Sequence, residues 1–175
     1  MTEAEPSIVL ESDRLRLRRL TTADGEFMLR LLNEPSFIAN IGDRGVRTLA
    51  AARQYVADGA IASYEKHGYG LYRVELKATG EVIGICGLVK RDYLADADVG
   101  FAFLPEFWSQ GYAAESAAAV KRFAFDTLGM KRVVAITSPG NLGSMRVLEK
   151  IGMRFEGMIK PPADAAEVRL FSADA

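Results

Sequence analysis

Hydrophobic and polar positions alternate strictly through Arg14-Leu15-Arg16-Leu17-Arg18, a pattern that predicts a first strand with one wet face. The period then lengthens. Thr21-Thr22-Ala23-Asp24 offers helix-capping side chains, and Phe27, Leu31 and Leu32 recur at helical spacing until Pro35 stops the run. A second helix fits Leu49 to Tyr64, with Tyr55, Val56 and Ile61 on its apolar side. Two apolar runs, Gly70–Leu76 and Glu81–Leu88, flank the turn Lys77-Ala78-Thr79-Gly80 and predict a hairpin. Further elements follow: a strand over Asp98–Leu104 closed by Pro105, and an Ala-rich helix from Ala113 to Leu128 ended by Gly129. The strand Arg132–Thr137, a short helix Ser144–Ile151 and a last strand Glu167–Phe171 complete the series. Strand, two helices, hairpin, strand, helix, strand, helix, strand implies an α/β (α+β) fold, with a mixed central sheet and helices on both faces. Residues 1–7 are expected to form a flexible leader and residues 8–175 a single domain, with no repeat or linker.

Composition narrows the function classes. A net charge of −1 over 175 residues leaves no global basic field for nucleic acid or an anionic membrane. No signal-like start or membrane-length apolar stretch is present, so a soluble cytoplasmic protein is expected. The single cysteine, Cys86, lies in an apolar strand-like run and reads as a buried structural thiol. The single histidine, His67, lies in the run Lys66-His67-Gly68-Tyr69-Gly70, which reads as a loop, and no Cys/His pair has metal-ligand spacing. No metal is expected.

The chemically informative stretch runs from Val99 to Glu115: a strand ends, a loop turns through Trp108-Ser109-Gln110-Gly111-Tyr112-Ala113-Ala114, and a long helix begins. Free N–H groups at such a helix start, with the helix dipole behind them, suit an anion, most often a phosphate. An ordinary strand-to-helix turn is the competing reading. Neither the P-loop nor the Gly-x-Gly-x-x-Gly dinucleotide pattern is present.

The loop resembles the acetyl-CoA pyrophosphate loop of the GNAT superfamily, Gln/Arg-x-x-Gly-x-Gly/Ala, with Trp108 in the leading place. That departure is similar to the branch of bacterial ribosomal-protein N-terminal (alanine/serine) acetyltransferases, Trp-Gly-x-Gly-Tyr-Ala-x-Glu, from which Ser109 differs at the glycine. Glu11–Arg18, Thr79–Leu88 and Asn141–Met153 resemble further segments of that branch, in family order. The resemblance implies a GNAT-type domain with a splayed strand pair for acetyl-CoA, acting as co-substrate. It places the pantetheine arm on the main chain of Phe101, Ala102, Phe103 and Leu104, and the pyrophosphate on Ser109, Gln110, Gly111, Tyr112, Ala113 and Ala114. Asn141 would bind the arm and Ser144 would face the sulfur, although both residues also suit a helix cap. The tyrosine acid of many relatives is replaced by Leu148, which leaves Ser144, directly or through water, as proton donor. Asp98 and Glu167 are the candidate bases, and Lys150 could reach the adenosine end.

The implied activity is acetyl transfer to a primary amine of a protein N-terminus or small molecule; a non-catalytic acyl-CoA-binding module is the alternative. Acceptor choice falls to the first helices, the loop carrying Asp43, Arg44 and Arg47, Tyr69, and Arg91-Asp92-Tyr93. A monomer or homodimer fits equally, and the short tail after Pro161-Pro162 leaves one side of the cleft open or completed by a partner subunit.

Overall fold

The computed structural model describes residues 4–175. One eight-stranded sheet organises them, in the order β1-β2-β3-β4-β5-β6-β8-β7. The strands are β1 (Ile8–Glu11), β2 (Leu15–Arg19), β3 (Leu71–Leu76), β4 (Val82–Val89), β5 (Asp98–Phe103), β6 (Arg132–Thr137), β7 (Arg154–Ile159) and β8 (Val168–Asp174). Every neighbouring pair is antiparallel except β5 and β6, which are parallel because helix α5 (Tyr112–Asp126) crosses between them. The sheet is therefore mixed, as the element order predicts.

Helices cover both faces. On one face, Ala114, Ala117, Val120 and Ala124 of α5 pack against Leu15, Leu17, Tyr72, Cys86, Val99, Phe103 and Val133. Leu148 of α6 (Leu142–Lys150) joins the same core. The small side chains of α5 let its axis lie close over the strands. The other face carries α1 (Gly25–Leu32), α2 (Pro35–Asn40) and α3 (Leu49–Val56), whose Met28, Leu31, Leu32, Phe37, Ala52 and Val56 surround Ile85 and Leu104. A π turn (Ala57–Ile61) carries α3 directly into α4 (Ala62–His67), so the helical run extends beyond the Tyr64 boundary predicted from sequence. His67 is the last residue of α4 rather than a loop residue, because the left-handed Gly68 at φ 80° ends the helix after it.

Three elements escape the sequence pattern. Pro35 starts α2 instead of only stopping the run before it, since its missing N–H costs nothing at the first helical position. Strand β7 is mostly exposed, so it lacks the alternation that marks a half-buried strand. Strand β1 is four residues long. Of the expected leader, residues 1–3 lie outside the described residues. Residues 4–7 form no regular element, yet the Pro6 carbonyl accepts from Arg18 Nη1 at 2.7 Å. Nearby, Arg18 and Arg73 close on the buried Glu75 at 2.9 and 3.4 Å, and Arg73 reaches the buried Asp24 at 3.0 Å. This ion network locks β2 to β3 and to the entry of α1.

Candidate active site

The site begins at one strand whose two edges differ. Strand β5 pairs with β4 in unbroken register from Gly84 opposite Phe103 to Val89 opposite Asp98. On its other edge it meets β6 only where Asp98 lies opposite Val134, next to a bond from the Val134 amide to the Ala97 carbonyl at 2.9 Å. Beyond that point the strands share no ladder. The bond from the Leu104 amide to the Ile83 carbonyl, 3.0 Å, fixes which main-chain groups face which way. Alternation along an antiparallel pair turns residues 100, 102 and 104 toward β4, and residues 101 and 103 toward the opening.

Phe101 therefore offers both its N–H and C=O to the opening. Phe103 offers only its N–H, because its carbonyl accepts from Trp108 Nε1 at 2.9 Å. This corrects the expectation that four consecutive residues present their main chain there. The main-chain groups of Ala102 and Leu104 turn to the β4 side, and the Leu104 carbonyl also accepts from the Phe107 amide at 3.0 Å.

Past β5 the chain makes one 3₁₀ turn (Pro105–Phe107) and reaches the loop. Ser109 and Gly111 are both left-handed, at φ 61° and 84°. Ser109 thus holds the backbone shape that a glycine would adopt freely, at a cost of about 1–2 kcal/mol for its side chain. Gly111 is the N-cap of α5, and no side chain caps that helix. Among the described residues, the N–H groups from Ser109 to Ala114 find no hydrogen-bond acceptor. Six successive free donors at the positive end of a fifteen-residue helix make a strong anion site.

The loop is held from outside by Arg14, a residue whose part the sequence did not signal. Its Nε donates to Glu115 Oε1 at 2.9 Å and its Nη1 to the Gln110 carbonyl at 3.0 Å, while the guanidinium lies 4.4 Å above the Tyr112 ring. Ser12 Oγ and the Arg14 amide both donate to Glu115 Oε2, at 2.6 and 3.1 Å. Partial burial pushes the Glu115 carboxyl up, but the Ser12 and Arg14 bonds outweigh it and hold the carboxyl below its ordinary range. A Cβ on Gly111 would stand 3.2 Å from Arg14 Nη2, so bulk there meets this clamp.

Strand edge and loop border one cleft of about 620 Å³. Its lining unites Phe101, Ala102, Phe103, Ser109, Gly111, Tyr112, Ala113 and Ala114 with Asn141 and Ser144. Leu104 and Gln110 do not line it. Asn141 Oδ1 accepts from the Ser144 amide at 3.2 Å, so the residue does cap α6, and its amide NH₂ has no partner among the described residues. Phe37, Asn40 and Ile41 of the unexpected α2 segment form the facing wall, tied in place where Ser138 Oγ donates to the Asn40 carbonyl at 3.0 Å. Arg146 and Lys150 add positive charge to the lining.

The two candidate carboxylates are outside this lining. Asp98 is 2% exposed at the closed end of the strand pair, and its Oδ2 accepts from Arg91 Nε at 2.7 Å. Burial raises its carboxyl to about 6, against the pull of Arg91 in the other direction. Glu167 is exposed directly before β8. Cys86 is fully buried on β4, and burial pushes its thiol up to about 12.

A family model described as an acetyltransferase (GNAT) domain matches residues 14–154. This chain belongs to the GNAT acetyltransferases. It is 31% identical over 154 residues to the uncharacterized protein YkkB of Bacillus subtilis (strain 168), covering 86% of this chain and 88% of that one. With the uncharacterized N-acetyltransferase YoaA of the same organism it shares 29% over 154 residues, covering 87% and 86%. In fold it matches RimL, a ribosomal L7/L12 alpha-N-protein acetyltransferase solved with coenzyme A, at a TM-score of 0.82 and 19% identity, covering 96% and 98%. The family implies acetyl-CoA as acyl donor. The residues of this GNAT chain fit such a ligand: free amides for a pyrophosphate, a half-paired strand edge for an extended amide-bearing arm, and cations in the lining.

Proposed function

We propose that this acetyltransferase binds acetyl-CoA in the cleft between β5 and β6 and transfers the acetyl group to a primary amine of a protein N-terminus or small molecule. The observation that supports this most is the meeting, in one cleft, of the unpaired loop amides with the unpaired edge of β5. The bound donor supplies an acyl carbon activated as a thioester, with a thiolate as leaving group.

The amides from Ser109 to Ala114 hold the pyrophosphate, and the Phe101 and Phe103 main chain holds the pantetheine arm as an added strand would be held. One of these N–H groups polarises the thioester carbonyl. With its Oδ1 engaged in the cap, Asn141 uses its NH₂ to bind the arm. The amine nitrogen bonds to the acyl carbon, the carbon–sulfur bond breaks, and the amine proton passes through water to Asp98. Ser144, directly or through water, gives a proton to the departing sulfur, since Leu148 is buried and carries no acid. Glu167, exposed and not among the cleft-lining residues, is given no step in this scheme.

A cytoplasmic monomer or homodimer belongs to the same reading; no described helix is long and apolar enough to cross a membrane. The test is release of free thiol from acetyl-CoA in the presence of a panel of amines and peptide N-termini. Turnover is expected with at least one acceptor, rising as pH passes through about 6, the value to which Asp98 is raised. Asp98→Asn should remove that rise. Binding of acetyl-CoA without turnover on any acceptor would contradict the reading and favour an acyl-CoA-binding module.

A further inference from the structure

A second cavity, of about 520 Å³, opens between the helical run α3–α4 and the adjoining ends of β3 and β4. It lies within the size range of small-molecule sites. Apolar side chains form its floor, among them Leu20, Met28, Val56 and Leu71. Its charged lining is lopsided: Arg44, Lys66, Lys90 and Arg91 against the single carboxylate of Asp58, whose Oδ1 already accepts from Gln54 Nε2 at 2.7 Å. The ion pairs of the neighbourhood join Arg47 to Asp43 and Arg91 to Asp98, which leaves Arg44 and Lys66 with none among the described residues. The cavity wall includes Asp58 and Gly59 of the π turn, a helix irregularity found often at functional sites.

One face of β5 runs from the first cleft toward this cavity. Ala102, Gly100 and Asp98 share that face, spaced about 7 Å apart. Ala102 lines the first cleft. A Cβ on Gly100 would stand 3.6 Å from Leu71 Cδ2 and 3.8 Å from Val89 Cγ2, and both of these residues line the second cavity. Asp98 is held by Arg91, which lines it too. Gly100 lines neither cavity itself, but it lies on the strand face between Ala102 of the first and the Leu71 and Val89 walls of the second, with Asp98 one step away.

We propose that the second cavity binds the acceptor, and that the acceptor is a small amine carrying an anionic group, a carboxylate or phosphate, at its other end. The inference rests on the acetyl-transfer reading above. The cationic rim holds the anion, the apolar floor holds the intervening carbons, and the amine reaches past Gly100 toward the Phe101–Phe103 edge. Excess positive charge repels a protonated amine that lacks a balancing anion, so simple alkylamines and polyamines are disfavoured. The same field lowers the amine's pKa and raises its reactive neutral fraction.

The experiment measures kcat/KM by thiol release for matched pairs: glycine and glycinamide, β-alanine and its amide, phosphoethanolamine and ethanolamine. Spermidine and a peptide with an acidic N-terminal segment are run beside them. At least one anionic member should exceed its neutral partner by about tenfold or more, the signature of a single well-placed charge contact. The carboxylate and phosphate arms decide which anion fits. Arg44→Gln and Lys66→Gln, both exposed changes, should raise KM for that substrate several-fold and shrink the preference while leaving acetyl-CoA affinity measured by calorimetry intact. Equal or better use of the neutral amines or spermidine overturns the inference, as does acceptance of the acidic peptide with refusal of every small anion. Failure of acetyl-CoA to bind at all is a different result, and it removes the acetyl-transfer reading itself.

Discussion

The two edges of β5 carry the same backbone chemistry and meet opposite fates. Toward β4, the main-chain groups of Asp98, Gly100, Ala102 and Leu104 turn into a continuous antiparallel pairing. Toward β6, the ladder stops after Asp98, and the Phe101 and Phe103 amides remain free. Buried backbone donors are nearly always paired, so an edge left open beside a cleft has donors available to a ligand. The closed edge also explains the register of the open one: by taking residues 100, 102 and 104, β4 determines that residues 101 and 103 face the cleft. On the proposed reading, stability comes from one side of the strand and binding from the other, and the two should respond separately to mutation.

The largest effect is expected on the closed edge. A Cβ on Gly84 would lie 2.5 Å from the Ala102 carbonyl oxygen, a main-chain atom that cannot move without breaking the ladder. Gly84→Ala should cost about 3 kcal/mol or more in denaturant unfolding. A similar magnitude attaches to Asp98, at the junction of the two edges. Its folded value of about 6 lies above the ordinary 3.8, so the protonated form is the one favoured by folding. Stability is then highest below about pH 4 as far as this group is concerned, and about 3 kcal/mol is lost as pH rises to about 6. Asp98→Asn should flatten that window in stability-versus-pH curves.

Glu115 gives a smaller effect of opposite sign. Its carboxyl is depressed below the ordinary 4.5, so its contribution is present above about that pH and fades as pH falls through the folded value. Glu115→Gln should cost about 1 kcal/mol and weaken acetyl-CoA several-fold, because the loop loses its hold on Arg14 without losing its own amides. Ser109→Gly should change stability least, within about 0.5 kcal/mol: relief at φ 61° offsets the greater freedom of glycine in the unfolded chain. All four are read by urea unfolding, with calorimetry added for Glu115→Gln.

The elements that face two neighbours were legible in the sequence. β4, β5, α5 and β6 each carry a strong apolar pattern, and the matched loop followed directly from a strand meeting a glycine-bearing helix start. The elements missed are those with weak patterns: exposed β7, four-residue β1, and α2, whose proline reads as a stop. The loop could be selected because a glycine-bearing turn opens a helix there, whereas Asn141 was selected through its resemblance to a family segment, since its residue type alone suits a helix cap. Arg14 could not, since its task depends on Glu115 lying 101 residues away in sequence and close in space. The parity that separates Phe101 from Ala102 was equally hidden, because it is set by hydrogen bonds from β4 and not by any side chain. The second cavity gathers Arg44, Lys66 and Arg91 from three separate segments, and only Arg44 and Arg91 stood out in the linear pattern.

A calorimetric titration decides whether the open edge and its loop form the acetyl-CoA site. Acetyl-CoA, NAD and ATP are titrated into the wild-type protein and into Gly111→Trp, with circular dichroism to show that the variant keeps its fold. Selective binding of acetyl-CoA by the wild type, lost in the folded variant, is the expected result. Equal binding of all three ligands, or acetyl-CoA binding unchanged by the tryptophan, would contradict it.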